Sequence, residues 1–98
     1  MGRNGLCIWH DGKCEANLAK HGFDFFDIAF VFDGRPALVR VDHRFDYGEE
    51  RFNLLMRIEG LIVNVTFTNR DDFFHLISAR LASRKERAVF DVWEKSQS

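Results

Sequence analysis

Two stretches of alternating hydrophobicity, separated by only two residues, constrain the fold of this chain more than any other feature. Residues 51–58 and 61–68 both alternate apolar and polar side chains, and Glu59-Gly60 between them has the length and composition of a tight hairpin turn. With that turn, Ile58 pairs with Leu61, and every later pair keeps the same sum of residue numbers. The sequence therefore predicts an antiparallel hairpin of fixed register.

The predicted hairpin has two unlike faces. One face is wholly apolar and is expected to be covered by helices, as is ordinary for antiparallel sheets. The other is polar and carries guanidinium groups, which suits either a solvated surface or a phosphate-bearing ligand. The apolar face comprises Phe52, Leu54, Met56, Ile58, Leu61, Val63, Val65 and Phe67. The polar face comprises Arg51, Asn53, Arg57, Asn64, Thr66 and Thr68.

Further strands are predicted on either side of the hairpin. Residues 6–9 predict an edge strand, and residues 37–41 predict another strand that leads into a polar loop over 42–49. A third long strand is predicted over residues 72–79, with a register that depends on the length of the loop before it.

An even-length loop places Phe74 and Leu76 in the core and His75 beside Thr66 on the polar face. An odd-length loop inverts this arrangement, because successive side chains of a strand point to opposite faces. Both registers remain open from the sequence.

Helix signals flank the strands. A helix over residues 13–20 is stopped by Gly22, Asp24 is a candidate N-cap for a second helix, and Ser83 with Glu86 forms a capping box for a third. The second helix has an apolar stripe of Phe25, Ile28, Ala29 and Phe32. The third has an apolar stripe of Ala88, Val89, Val92 and Trp93.

Composition limits the class of protein. The 98 residues are 46% hydrophobic and 30% charged with a net charge of −1, which predicts one α+β domain over 1–98 with a core of about 7–93. Cys7 and Cys14 lack the spacing of a disulfide framework or zinc site. No apolar run approaches a membrane span. We expect a cytoplasmic protein that does not associate with membranes.

The candidate chemistry rests on charged side chains at the ends of elements. The four histidines are scattered singly and no nucleotide-binding loop is present, so no metal and no cofactor is predicted. RNA can be cleaved without metal when its 2′-OH attacks the adjacent phosphate, provided that an acid, a base and cations assist. Each such residue also has a structural alternative, such as a surface ion pair. The candidates are Lys20, His21, Glu50, Arg51, Arg70, Arg80 and Arg84.

An ordered series of motifs narrows the class of protein to which the chain can belong. Trp9 to Gly22 reads W-x3-K-x3-N-x2-K-H-G, and G-E-E-R at 48–51, T-N-R at 68–70 and I-S-A-R at 77–80 follow it. In this order the motifs resemble the BrnT family of bacterial toxins, and the resemblance extends over about residues 7–90.

The resemblance implies a fold, an activity and partners. The implied fold is RelE-like: a small antiparallel sheet of three to five strands with two N-terminal helices and a C-terminal helix, packed on one face. The implied activity is metal-independent ribonuclease toxicity. The implied partner is a BrnA-like antitoxin with a ribbon-helix-helix region, and operator DNA is bound only through the toxin–antitoxin complex.

The resemblance also assigns roles to residues. Glu50 is expected to be the general base, Arg70 and Arg80 are expected to stabilise the phosphate and the transition state, and Lys20 or His21 is expected to supply the acid. His75 stands where the family commonly has arginine, and it is a further candidate for the acid. The expected RNA-binding residues are Arg51, His75 and Arg84.

Two other functions remain open. The chain could be a catalytically silent module that binds its antitoxin and contributes to operator repression. Direct binding to DNA by this chain alone is disfavoured, because the net charge is −1 and the basic residues cluster on a short segment.

Overall fold

The computed structural model describes residues 1–42 and 48–97, and within them the chain forms six strands and three helices. Most of the loop predicted over 42–49 therefore lies outside the described residues. The strands are β1 (Gly2–Asn4), β2 (Cys7–Trp9), β3 (Ala37–Asp42), β4 (Arg51–Ile58), β5 (Leu61–Arg70) and β6 (Phe73–Leu81). The helices are α1 (Asp11–His21), α2 (Phe25–Ala29) and α3 (Arg84–Ser96).

The predicted hairpin is the centre of the sheet. Strands β4 and β5 pair in antiparallel fashion from Ile58 opposite Leu61 to Phe52 opposite Phe67, which confirms the predicted register. Strand β3 pairs with the other side of β4, and β6 pairs with the other side of β5. The whole sheet has the order β1-β2-β6-β5-β4-β3.

Strand number and direction differ from the prediction, although the α+β class is confirmed. The sheet has six described strands rather than three to five, because the first residues of the chain add β1. The predicted edge strand, β2, lies inside the sheet between β1 and β6, and it runs parallel to β6. The sheet is therefore mixed. Helices α1 and α2 follow these two strands, and the RelE-like topology stays a prediction.

A bulge adjusts the register between β5 and β6. The two-residue turn at Asp71-Asp72 has even length and sends Leu76 into the core, as the first of the two registers predicts. The same turn places His75 opposite Thr68 rather than beside Thr66. Farther along the two strands, the register shifts at Thr66/Phe67. An irregularity of this kind inserts an unpaired residue, here Ile77, which alternation alone does not reveal.

The helix ends follow the predicted capping signals. After α1 ends at His21, Gly22 adopts a left-handed φ of 78°, which costs glycine little. The Asp24 side chain accepts a hydrogen bond from the N–H two residues later at 2.9 Å. Ser83 and Glu86 make both hydrogen bonds of the capping box.

The sheet carries a core on each face, whereas the resemblance implied helices on one face only. Because neighbouring residues of a strand point to opposite faces, the two clusters are separated by the sheet. The main cluster lies under α1 and α2 and contains Cys7, Trp9, Phe25, Ile28, Ala29, Val31, Leu54, Met56, Val63, Val65, Phe67, Leu76 and Ala79. The second lies under α3 and contains Leu55, Ile62 and Phe90 with Leu38, Ala82 and Trp93.

The predicted apolar stripe of α3 is wrong in part. Phe90 is 1% exposed and Trp93 is half-buried, but Val89 is 38% exposed and Val92 is 73% exposed; Ala88 is exposed as well. Residues 86, 90 and 93 face the sheet together, at the i, i+4, i+7 spacing of one helix face. The hydrogen bonds of Glu86, described below, hold α3 in this orientation, whereas burial of Val89 and Val92 would favour a different rotation of the helix about its axis.

The start of β1 leaves no room for a side chain. A Cβ atom added at Gly2 would lie 1.9 Å from Nε1 of the buried Trp9 indole. We expect Gly2→Ala to lower the free energy of unfolding by about 1–3 kcal/mol, the usual effect of overpacking. Urea denaturation measures this value, and Gly12→Ala is the control because an added Cβ on that residue of α1 meets nothing within 4 Å. Equal stability of the two variants would contradict the close contact.

Candidate functional site

One buried amide fixes α1 against the free part of the β6 edge. Strand β2 pairs with β6 only at residues 74–76. Farther along β6, the Asn17 side chain rather than a strand makes hydrogen bonds to the β6 backbone. The Asn17 amide donates to the Ala79 carbonyl at 2.9 Å, and its Oδ1 accepts from the Ala79 N–H at 2.9 Å. The same Nδ2 donates to the Phe23 carbonyl at 3.0 Å. These contacts determine which face of α1 lies beside β6.

The anchored face of α1 forms one wall of a basic cleft. Lys13 and Lys20 lie one turn before Asn17 and one turn after it, on the same side of the helix. The cleft has a volume of about 230 Å³. It is lined by Lys13, Ala16, Asn17, Lys20, His21, Ile77 and Ser78. In the described part of the chain neither lysine makes an ion pair, so both charges are available to an anionic ligand.

A buried histidine adjoins the cleft. His75 is 6% exposed, and in the structure as described neither ring nitrogen has a hydrogen-bond partner. Burial lowers the pKa of His75, and the positive charges of Arg70, His10 and Lys13 lower it further, while Glu49 acts in the opposite direction. Lys13 therefore belongs to the cleft and also acts on His75. At neutral pH the imidazole is therefore predominantly uncharged.

The neutral imidazole makes stability depend on pH. The folded pKa of His75 lies below its ordinary value of 6.5, so the unfolded chain takes up a proton first as the pH falls. We expect the free energy of unfolding to fall below pH 6.5, with a slope of at most ~1.4 kcal/mol per pH unit from this group. Denaturant unfolding at pH 7.5 and 5.5 measures the effect, and His75→Gln should reduce the difference. An undiminished difference in His75→Gln would assign the effect to other groups.

Acidic and basic side chains form a rim where β4 begins and β5 ends. Arg70 donates to both carboxylate oxygens of Glu49 at 3.1 and 3.3 Å, so the neighbour of Glu50 is the partner of Arg70. Glu50 itself is exposed, and its main-chain carbonyl accepts a hydrogen bond from Thr68 Oγ1 at 2.7 Å. Glu49 and Glu50 precede β4, so β5 separates them from β6, the strand that carries His75.

Arg80 belongs to a different cluster, at the beginning of α3. Its Nη1 and Nη2 donate to the two carboxylate oxygens of Glu86 at 2.8 and 3.1 Å. Glu86 also accepts from Asn64 Nδ2 at 2.7 Å and from the Ser83 N–H at 2.8 Å. Burial raises the pKa of Glu86, but these hydrogen bonds and the Arg80 charge outweigh it and lower the pKa to about 2. The Arg80 guanidinium is therefore engaged in holding α3.

The structure separates the predicted residues into three groups. Lys20 and His21 share the cleft, Glu50 and Arg70 share the rim, and Arg80 with the exposed Arg84 lies at the start of α3. Arg51 is half-buried in β4 opposite Asp42 of β3.

Sequence reasoning missed three site residues: Lys13, Asn17 and Ser78. Lys13 and Asn17 belong to the motif W-x3-K-x3-N-x2-K-H-G. Lys13, Asn17 and Lys20 are spaced at i, i+4 and i+7, and this spacing is the signal that could have placed all three on one helix face. Ser78 depends on the bulge and had no comparable signal.

Within residues 1–42 and 48–97, no three His, Cys, Asp or Glu side chains are grouped to hold a metal ion. No helix in these two ranges has the length and apolarity needed to cross a bilayer.

The fold and site define a small α+β domain with a cationic cleft at a sheet edge, chemistry that suits a phosphate-bearing polyanion. Residues 9–86 match the family described as "Ribonuclease toxin, BrnT, of type II toxin-antitoxin system". The match covers most of the chain, and the protein belongs to this family of ribonuclease toxins. A comparison with curated proteins found no match.

Proposed function

We propose that this chain cleaves single-stranded RNA without a metal ion, through attack of the 2′-OH on the adjacent phosphate. The observation that carries the proposal is the cleft in which Lys13, Lys20 and His21 meet Ser78 of β6. Two ammonium groups that form no ion pair with the described residues attract a phosphodiester, and charge-assisted hydrogen bonds from them would stabilise the negative charge that develops on the phosphate oxygens.

The proton transfers are assigned to one group on the rim and one in the cleft. Glu50 removes the 2′-OH proton, and His21 or Lys20 protonates the departing 5′ oxygen, which requires bound RNA to bring the rim and the cleft to one phosphate. Arg70 binds an adjacent phosphate once substrate displaces Glu49 from it. Arg51, Arg84 and His75 are assigned to RNA binding and alignment. Arg80 is proposed to support this surface by positioning α3, because its guanidinium already holds Glu86.

The partner proposed for this toxin is a BrnA-like ribbon-helix-helix antitoxin, whose complex with the chain binds operator DNA. The family description supports an antitoxin of some kind. The net charge of −1 supports DNA contact through a partner rather than through this chain alone.

The proposed activity is tested with a defined single-stranded RNA in excess EDTA, with the product ends mapped. We expect products that end in 2′,3′-cyclic phosphate, and we expect Glu50→Gln to remove most of the activity. Glu59→Gln is the matched control, because Glu59 is an exposed glutamate in the distant β4–β5 turn. Intact RNA with folded protein would favour the silent antitoxin-binding module instead, and cleavage that needs added metal would contradict the metal-free mechanism.

A further inference from the structure

A second cavity lies at the opposite end of β6 from the rim, where the β4–β5 turn approaches the start of α3. We call it the end groove, and its volume is about 350 Å³. It is lined by Gly60, Leu61, Ile62, Leu81, Ala82 and Arg87. The walls are aliphatic, and Leu61 and Leu81 are 50% and 54% exposed although both are large apolar side chains. Such exposure at the mouth of a cavity is typical of a contact surface.

One cationic side chain, that of Arg87, belongs to the lining of the end groove, and the exposed Glu59 precedes the lining residue Gly60. Arg87 is exposed, and among the residues with assigned structure neither it nor Lys85 takes part in an ion pair. The one acidic residue in the first turn of α3, Glu86, is neutralised by Arg80. A ligand of this groove should therefore combine an apolar side chain with a carboxylate.

We propose that the end groove is the docking site for an acidic, apolar segment of the antitoxin, an inference that rests on the proposed toxin–antitoxin function. An apolar side chain of that segment fills the space between Leu61 and Leu81, and a neighbouring Asp or Glu pairs with Arg87. A protein segment fits this groove better than RNA does, because its lining has aliphatic walls and lacks aromatic rings on which bases stack.

The position of the end groove accounts for neutralisation. Leu81 follows Ser78 of the cleft by three residues in the same strand, which corresponds to roughly 10 Å along β6. A segment seated in the end groove places the body of the antitoxin beside the cleft, where it excludes RNA. The groove itself contains none of the residues assigned to catalysis or RNA binding.

The test measures antitoxin affinity and RNA cleavage on the same variants. The groove variant combines Leu81→Ser with Arg87→Glu, both at exposed positions. The control combines Phe30→Ser with Arg40→Glu, which also replaces one exposed apolar side chain with serine and one exposed arginine with glutamate, in the α2 region and in β3. The probe is the purified BrnA-like antitoxin from the same genome, titrated by calorimetry against the full-length chain.

We expect the groove variant to lose at least ~30-fold in antitoxin affinity, the effect of removing one binding hot spot. The control should stay within about threefold of wild type on the same scale. The groove variant should also cleave RNA at the wild-type rate and resist inhibition by the antitoxin.

Three results would overturn the docking site. They are unchanged affinity in the groove variant, an antitoxin that fails to bind wild type, and loss of affinity in the control, which would place the partner on the surface near Phe30 or Arg40. Loss of RNA cleavage in the groove variant would instead make the groove an RNA surface. If wild type leaves RNA intact and the groove variant alone loses the antitoxin, the docking site stands and the ribonuclease proposal fails.

Discussion

Replacing Lys20 with methionine is expected to slow RNA cleavage by about 10²–10³-fold, the range found when one donor to a developing negative charge is removed. Methionine keeps the length and most of the aliphatic stem of lysine, but it cannot donate to a phosphate. Lys20 is exposed on α1 and makes no ion pair within the described chain, so its loss should leave the fold intact. Single-turnover cleavage of a labelled RNA in EDTA measures the rate.

The control for this experiment is Lys85→Met. Lys85 is an exposed lysine on a helix, as Lys20 is, but it lies on α3 and outside the cleft. Lys85→Met removes the same positive charge from the protein as Lys20→Met does, so any general effect of net charge on RNA affinity is shared by the two variants. A rate for Lys20→Met within threefold of the control would show that the cleft is not where the phosphate reacts.

Replacing Glu86 with glutamine is expected to lower the free energy of unfolding by about 3 kcal/mol, the largest stability effect we predict. The folded pKa of Glu86 is about 2 against an ordinary value of 4.5. Because the folded pKa is lowered, its stabilisation is fully present above pH 4.5 and is lost as the pH falls towards 2. Glutamine cannot provide the carboxylate, and it leaves the Arg80 charge half-buried without an anionic partner.

Urea denaturation at neutral and acid pH distinguishes this ion pair from an ordinary one. Glu94→Gln is the matched control on the same helix, because Glu94 pairs with Arg57 at an exposed position and should contribute much less. Wild type and Glu94→Gln should both lose stability between pH 4.5 and 3, whereas Glu86→Gln should lose little in that interval. Equal stability of the two variants at pH 7 would refute the anchoring of α3 by Glu86.

The same cluster changes how a loss of activity in Arg80 variants is understood. Arg80→Ala removes both hydrogen bonds to Glu86, so it should reduce stability as well as cleavage. A direct role at the phosphate would instead reduce cleavage in a protein that unfolds at the wild-type urea concentration. Measuring both quantities on one preparation separates positioning from contact with RNA.

The parts of the fold that depend on local chemistry were predictable from the sequence. The two-residue turn at Glu59-Gly60 fixed the register of β4 and β5, and capping side chains located helix ends at Asp24 and Ser83. These signals involve residues a few positions apart. A local pattern in the sequence is therefore enough to specify them.

Contacts between distant residues account for the errors. The pairing of β2 with β6 joins residues almost seventy positions apart, and no local pattern specifies it or its parallel direction. The predicted α3 stripe is wrong in part because the polar contacts of Glu86 with Asn64 and Arg80, which lie on other elements, turn a different face of the helix to the sheet. Likewise, the cleft depends on Asn17 reaching Ala79, sixty-two residues away.

The family motif can now be divided by physical role. Trp9 is buried in the core, Asn17 anchors the helix to the sheet, Gly22 ends the helix, and Lys13 and Lys20 line the cleft. Only part of this motif therefore lines the cleft and could contact a substrate. The remainder supplies the rigid support that keeps two lysines at a fixed distance from β6.

The amide of Asn17 also has a consequence for self-association. A sheet edge with unpaired backbone groups is a template for another chain, and proteins commonly shorten or cover such edges to avoid aggregation. Here β1 has three residues, and Asn17 occupies the Ala79 backbone beyond the end of β2. Among the described strands this leaves β3 as the long open edge, so strand addition by any other polypeptide, including a second copy, would be directed to Ala37–Asp42.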